Sequence, residues 1–180
     1  MSPPVEVNEF AARARAFVQW CESPHAGKSA GQMQFEALQQ LAETYAAALR
    51  LPKVDFMPSP EPPSRDGAKT KKLAHHLQPL PFQYYREMFT PTDLNENGQG
   101  VDGDLLDDFL DIHGDLSQGL WLYERGHCEA AVFLWRFAFA AHWGRHAVSA
   151  MHALHSFDPE QASHPLQTSS PKKMRCATGA

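Results

Sequence analysis

The chain has 180 residues and a formal net charge of −5, with 43% hydrophobic and 21% charged residues. This length suits one domain with a sizeable core, and the composition excludes wholesale disorder. The negative net charge argues against nonspecific electrostatic binding to nucleic acid or to an anionic membrane. No apolar run is long enough to span a bilayer. Three isolated cysteines form neither a zinc motif nor a disulfide framework, so we expect a soluble, reduced, cytoplasmic protein.

The first half of the chain predicts two amphipathic helices. Apolar residues recur at three- and four-residue steps over residues 5–22, and a second helix is predicted from Gln32 to Arg50. The apolar face of the second helix consists of Phe35, Leu38, Leu41, Ala42 and Tyr45. The proline-rich stretch 52–67 predicts an irregular crossover or an exposed loop, and residues 80–89 predict a short aromatic helix packed against the domain.

The second half predicts two longer helices joined by a short turn. Residues 103–124 place apolar side chains on one face and five aspartates on an arc of about a hundred degrees on the other. These aspartates are Asp104, Asp107, Asp108, Asp111 and Asp115. Gly126 suits a C-cap turn, and residues 128–156 predict a helix that is apolar almost all round, at the buried centre of a bundle. We therefore predict a single all-α domain over residues 5–157, without a sheet, and a flexible tail over residues 158–180.

Two histidines of the last predicted helix have the spacing of neighbouring metal ligands. His142 and His146 are four residues apart, so both side chains project from one side of the helix. If the last two helices form an antiparallel hairpin about Gly126, facing positions sum to about 253, which brings Asp111 level with His142. The preferred interpretation is that the carboxylates orient buried histidines, as satisfied polar groups in a core do. The alternative is a metal site formed by His142, His146, Asp111 and Asp115.

Neighbouring side chains form a second candidate cluster. Asp108 lies level with Arg145 in the same register, which predicts an ion pair that closes the groove. His155, near the end of the helix, is expected to act as a C-terminal cap or to contact a neighbouring helix. Three aromatic residues could line a small-molecule pocket between helices. They are Trp135, Trp143 and Tyr123.

An acidic, glycine-rich segment resembles a calcium-binding loop in part. Residues 93–104 place oxygen-bearing side chains at several positions of an EF-hand loop. Gly100, however, stands where an aliphatic residue belongs, and the shorter Asp104 stands where a bidentate glutamate is expected. The alternative is a linker that ends in an N-cap aspartate, Asp102 or Asp104, for the following helix.

The acidic arc also bears on function. Nine acidic residues and no lysine or arginine lie between Pro91 and Glu124, so the arc is either a solvated face or a docking surface for a basic partner. The sequence contains no complete catalytic set, phosphate-binding loop or nucleophile elbow. We therefore predict a non-enzymatic helical protein, without a resident cofactor, that binds a protein partner or a second copy of itself. The alternative is a metal-binding bundle or metal-dependent enzyme that uses a divalent ion.

Two motifs, "LDIHGDLSQGLWLYERG" and "WRFAFAAHWGRHAVSAMHALH", carry a resemblance to a known family. They are similar to a bacterial family of uncharacterised proteins, the domain-of-unknown-function family 5063, over residues 80–156 best. The family pattern picks out Asp111, Asp115, Trp135, His142, Trp143, Gly144 and His155. The chain departs from the pattern at Met151-His152 and at Thr90-Pro91. The resemblance implies a compact helical domain with no assigned activity.

Overall fold

The computed structural model describes residues 3–64, 66–88, 91–92 and 100–162. The helices are α1 (Val5–Glu22), α2 (Ala30–Ala48), α3 (Gly67–His76), α4 (Leu105–Tyr123), α5 (Cys128–Ala138), α6 (Gly144–Ser156) and α7 (Pro159–Ala162). A π-helical segment, Phe139–Trp143, joins α5 to α6, and strands β1 (Tyr84–Glu87) and β2 (Val101–Asp104) form one antiparallel pair. The prediction of a predominantly helical single domain is confirmed, but the predicted absence of a sheet is wrong.

Helix α4 lies at the centre of the bundle. It packs against α1, α3, α5 and α6, and its buried residues include Phe109, Ile112 and Leu116. The predicted central helix over residues 128–156 is divided by the π-helical segment and leaves several side chains exposed, among them those of Phe137 and Val148. The prediction that this helix is buried on all sides is therefore wrong. One side of α5 and α6 faces solvent, while the other side covers α4.

Helices α1 and α2 form as their apolar periodicity predicts. The predicted bounds of α1 are confirmed, whereas α2 begins at Ala30, because Ser29 and Gln32 form a capping box at its N-terminus. The predicted apolar face of α2 is partly wrong, since Phe35 is 69% exposed. The buried stripe instead follows small and flexible residues such as Met33 and Ala37, which allow α2 to approach α1 and α6 closely.

The segment before α4 differs from its prediction. Residues 84–87, predicted as part of a short helix, form β1 because their backbone pairs with β2, with Tyr84 opposite Asp104. A Cβ atom at Gly103 would lie 2.5 Å from the Tyr85 ring, so a glycine is needed where that ring crosses β2. The described part of the stretch before Asp66 forms neither helix nor strand, as predicted, but α3 follows it without having been predicted.

The alternative interpretation of the EF-like segment, a linker that ends in an N-cap aspartate, is confirmed for its last residue. Asp104 accepts hydrogen bonds from the backbone N–H groups of Leu106 and Asp107, over 2.9 and 3.2 Å, and so caps α4. Residues 93–99 and 163–180 lie outside the described part of the chain. The predicted tail, residues 158–180, is therefore described only at its start, where α7 forms instead of an irregular segment. None of the helices that the structure describes has the length and apolar character of a membrane span.

Candidate metal centre

The π-helical segment shifts the buried stripe of the last helices by one residue. In an uninterrupted α-helix, the buried residues Trp135 and Ala138 would be followed, four residues on, by His142. The π turn contains one extra residue, so Trp143 takes the buried position instead and is only 1% exposed. The stripe then continues at Ala147, and His142 lies on the solvent side of it.

Gly144 makes the π turn sterically possible. Its N–H donates to the carbonyl oxygen of Phe139, five residues earlier. A Cβ atom built at Gly144 would lie 2.3 Å from that oxygen, so any larger residue would force the turn apart. The Phe139 ring packs on buried Trp143, with ring centroids 4.8 Å apart. The His-Trp-Gly sequence thus encodes the turn that places His142 beside α4.

Each of the two histidines is held by an aspartate of α4. His142 donates from Nδ1 to Asp115 Oδ2 over 2.7 Å, and His146 donates from Nδ1 to Asp108 Oδ1 over 2.7 Å. The carboxylate can only accept, so the proton lies on Nδ1 in both rings. A neutral imidazole in this tautomer carries its lone pair on Nε2, which is the atom that ligates metals in most sites with a carboxylate behind the histidine.

The two Nε2 atoms converge on Asp111. Asp111 Oδ2 lies 3.6 Å from His142 Nε2 and 3.9 Å from His146 Nε2. One ligand atom from each of these three residues lies within 4.8 Å of the others, so the three side chains could hold a metal ion. The structure therefore brings together three of the four predicted ligands. Asp115, the fourth, is used to orient His142.

A tyrosine of the hairpin extends the arrangement. Tyr85 donates its hydroxyl to Asp108 Oδ2 over 2.7 Å, so the Asp108 carboxylate, only 4% exposed, links β1 to α6. Burial, together with the hydrogen bond to Asp108, raises the pKa of Tyr85, which keeps the phenol a donor. Nearby, Ser149 donates to Glu87 Oε1 over 2.9 Å, which fastens the same strand to α6. Sequence reasoning missed Tyr85, because only strand pairing places it there.

The electrostatics of the centre favour positive charge. The hydrogen bond to Asp108 raises the pKa of His146 above its ordinary value, although burial acts in the opposite direction. Burial and the neighbouring carboxylates, that of Asp111 foremost, raise the pKa of Asp107. Neighbouring carboxylates of α4 contribute to both shifts, and a proton or a cation relieves this concentration of negative charge.

The acidic arc of α4 has internal partners and is not simply a solvated face. Asp104 caps the helix, Asp108 and Asp115 bind the two histidines, and Asp111 lies between them. These contacts use four of the five aspartates on which the predicted docking surface for a basic partner was based. Asp111 lies beside His142, as the predicted antiparallel register requires, but the shortest contact of His142 is with Asp115.

The second candidate cluster divides between core and surface. Trp135 and Trp143 are buried core residues, and Trp135 donates to the carbonyl oxygen of Leu116 over 3.2 Å. Asp108 pairs with His146, not with Arg145 as predicted, because the π turn rotates α6 by about one residue. Arg145 and His155 are exposed. One cavity that the described residues form lies elsewhere, between α3 and α4.

Comparison with known proteins gives a family and a fold. The sequence profile of the family described as Domain of unknown function (DUF5063) matches residues 2–158, which is most of the chain. The crystal structure of protein BF1032 from Bacteroides fragilis is similar, with a TM-score of 0.65 and 20% sequence identity, over 84% of this chain and 90% of that chain. No curated protein matches the sequence. At this identity, the structural match shows a shared fold and no activity.

Proposed function

This chain belongs to the DUF5063 family, and we propose that it uses the family's helical fold to bind a divalent transition-metal ion. The proposed ligands are His142 Nε2, His146 Nε2 and a carboxylate oxygen of Asp111. The observation that carries the proposal is the pair of 2.7 Å hydrogen bonds that fix both Nδ1 atoms on aspartates, which leaves both Nε2 atoms turned toward Asp111. Metal-binding histidines characteristically donate their other ring nitrogen to a carboxylate in this way.

The spacing of the ligand atoms supports an ion of ordinary size. Metal–nitrogen and metal–oxygen bonds of about 2.0 to 2.2 Å place neighbouring ligands of a tetrahedral ion about 3.3 to 3.6 Å apart. The separations of 3.6 and 3.9 Å between Asp111 Oδ2 and the two Nε2 atoms exceed this range by a few tenths of an ångström at most. All three ligand atoms lie within 4.8 Å of one another, so the side chains would have to rotate toward a bound ion to close the shell.

The exposure of the ligands indicates an open coordination shell. The His142 side chain is 44% exposed, whereas those of Asp111 and His146 are 23% and 19% exposed, so water reaches the centre from the His142 side. Three protein ligands with positions left to water are typical of catalytic metal sites, and two imidazoles with one carboxylate suit zinc or ferrous iron. Such an ion lowers the pKa of its bound water and acts as a Lewis acid.

A competing explanation gives the Asp–His pairs only a structural role. In that case they cross-link α4 to the π-helical segment and to α6, and the imidazoles bind nothing. The experiment that separates the two explanations is elemental analysis of untagged protein, comparing the wild type with the double variant His142→Ala/His146→Ala. The matched control is His152→Ala/His155→Ala, because it removes two histidines that are exposed on the same helix.

We expect about one equivalent of zinc, iron or manganese in the wild type and in the control, and none in the His142→Ala/His146→Ala variant. Metal absent from all three proteins after exposure to each ion would contradict the proposal. Equal metal in all three would contradict it too, because the ion would then be bound elsewhere.

Self-association is a second candidate function, favoured by an exposed aromatic patch. Phe56 and Phe137 are 68% and 61% exposed, and Phe133 contacts both, with ring centroids 5.4 and 6.3 Å away. Exposed apolar groups of this kind mark interaction sites. We expect the wild type to sediment as a dimer, the variant Phe56→Ser/Phe137→Ser as a monomer, and the control Phe35→Ser as a dimer. A monomeric wild type at high concentration would refute this role.

We further propose that the protein resides in the cytoplasm. The thiols of Cys21 and Cys128 are free, and Cys21 is buried, which fits a reducing compartment. Fractionation of cells that produce the untagged protein tests this: the proposal expects it with cytoplasmic markers, and recovery with periplasmic or secreted proteins would contradict it.

A further inference from the structure

A cavity of about 310 Å³ lies on another face of α4, between α3 and the chain that leads into α3. Its volume falls at the lower end of the range for small-molecule sites, about 300 to 1,000 Å³. None of the described residues that line it is a proposed metal ligand. Leu73 of α3 and Leu110 and Trp121 of α4 supply apolar walls, and His113 and Ser117 of α4 supply polar groups.

The Ser117 hydroxyl is the unusual feature of this cavity. Its oxygen is buried and has no hydrogen-bond partner in the described part of the chain. A serine in the middle of a helix normally bonds back to the carbonyl four residues earlier or faces water, and Ser117 does neither. Buried polar groups without partners are rare in native proteins, so a partner supplied by a ligand explains this hydroxyl.

The charged groups around the cavity balance one another. Glu22 Oε1 lies 3.0 Å from Lys69 Nζ and 3.1 Å from His113 Nε2, so the same carboxylate pairs with both side chains. Although partial burial acts in the opposite direction, hydrogen bonds from Lys69 and His113 lower the pKa of Glu22, which stays ionised at neutral pH. Asp66 accepts from the backbone N–H of Ala68 over 2.9 Å and caps α3. These pairings favour a neutral ligand over an ionised one.

The apolar wall is suited to a flat ring. The Arg125 guanidinium carbon lies 4.1 Å from the centroid of the Trp121 ring, which holds the indole in place at the edge of the cavity. Aromatic ligands pack well against such fixed rings. We propose that the cavity between α3 and α4 binds a neutral aromatic compound of one or two rings, whose single hydroxyl or N–H group pairs with Ser117.

The test uses phenol, toluene and benzoate as probes, titrated into the full-length protein and followed by calorimetry and ligand-detected NMR. The three probes share a ring and differ in hydrogen-bonding capacity and charge. We expect saturable one-to-one binding of phenol, tighter than that of toluene or benzoate. In Ser117→Ala, phenol binding should weaken about three- to tenfold, which corresponds to one neutral hydrogen bond, while toluene binding stays unchanged.

Two further variants complete the test. Ser117→Phe fills the cavity and should abolish binding of phenol and toluene. Ser156→Ala, a serine at the exposed end of α6, should leave both unchanged. The absence of saturable phenol binding to the wild type would overturn the proposal, and so would phenol binding that Ser117→Ala and Ser117→Phe both leave intact. Because Ser117→Phe could also unfold the protein, thermal unfolding of both variants is measured. If only Ser117→Ala remains folded, the proposal is judged from phenol binding to Ser117→Ala.

Discussion

Replacement of Gly144 by alanine tests whether the π turn is the conformation that this sequence requires. In a regular α-helix, a glycine-to-alanine change stabilises the helix by about 1 kcal/mol, because glycine loses more backbone entropy on folding. In the π turn the same change places a Cβ atom 2.3 Å from the Phe139 carbonyl oxygen. The two conformations therefore predict effects of opposite sign.

The magnitude follows from this close contact. Carbon–oxygen contacts of less than 3.0 Å are not tolerated, so the Phe139 carbonyl must move by about 0.7 Å or more, away from the N–H of Gly144. Overpacking of this kind costs about 1 to 3 kcal/mol, and loss of a buried hydrogen bond about 1 to 3 kcal/mol more. After subtraction of the gain in helix propensity, the expected net destabilisation of Gly144→Ala is about 1 to 5 kcal/mol.

Urea unfolding followed by circular dichroism at 222 nm measures this difference. The control is Gly67→Ala at the start of α3, where a Cβ atom has no neighbour within 4 Å, and its free energy of unfolding should stay within about 0.5 kcal/mol of the wild type. An unchanged or increased free energy of unfolding in Gly144→Ala would refute the role assigned to the π turn. A metal titration of the same variant should also show weaker binding, since Phe139 and Trp143 position His142.

The other predictions concern the metal centre, the core and the response to pH. Asp115→Ala should weaken zinc binding about 10- to 100-fold in a competition titration with a chromophoric chelator. Asp111→Ala should weaken it more, because Asp111 is a proposed ligand, whereas Asp115 orients His142. Gly119→Ala should destabilise the protein to urea by about 1 to 3 kcal/mol, since its Cβ would lie 2.0 Å from Trp135 Nε1. Burial lowers the pKa of His25 from its usual 6.5, so the unfolded chain takes up a proton that the folded protein excludes. This part of the stability is complete above about pH 6.5 and is lost as the pH falls, so between about pH 7.5 and 5.5 the wild type should lose more stability than His25→Gln.

Each of these predictions has a contradicting result. Equal zinc affinities for Asp115→Ala and the wild type would show that the carboxylate does not orient His142. An unchanged free energy of unfolding in Gly119→Ala would mean that Trp135 can move without an energetic cost. Parallel pH profiles for the wild type and His25→Gln would show that this histidine is protonated alike in both states.

The parts of the fold that local signals determine could be predicted from the sequence. The apolar periodicity of residues 5–22 gave the bounds of α1, and an amphipathic run after Asp102 or Asp104 placed the start of α4 within two residues of its position in the structure. Gly126, with φ of +84°, supplied the turn. Together with antiparallel packing, that turn was sufficient to place Asp111 level with His142. For this reason the proposed metal ligands were accessible to sequence reasoning.

The remainder depends on contacts between distant residues. β1 forms because residues 84–87 find a partner at 101–104, and the aromatic residues of this stretch fit a helix or a strand equally well. The π turn adds one residue to a run whose apolar character is nearly uniform, so periodicity could not show whether His142 or Trp143 faces the core. The pairing of Asp108 with His146 depends on that turn, and Tyr85 depends on the hairpin.

The most direct test of the metal centre is a cobalt(II) titration of metal-free protein, followed by visible absorption. We expect absorption bands that saturate at one equivalent of cobalt in the wild type and in His152→Ala/His155→Ala. These bands should be absent from His142→Ala/His146→Ala, and one equivalent of zinc should remove them from the wild type. A wild type without saturable bands, or a His142→Ala/His146→Ala variant that retains them, would contradict the assignment of His142, His146 and Asp111 as a metal site.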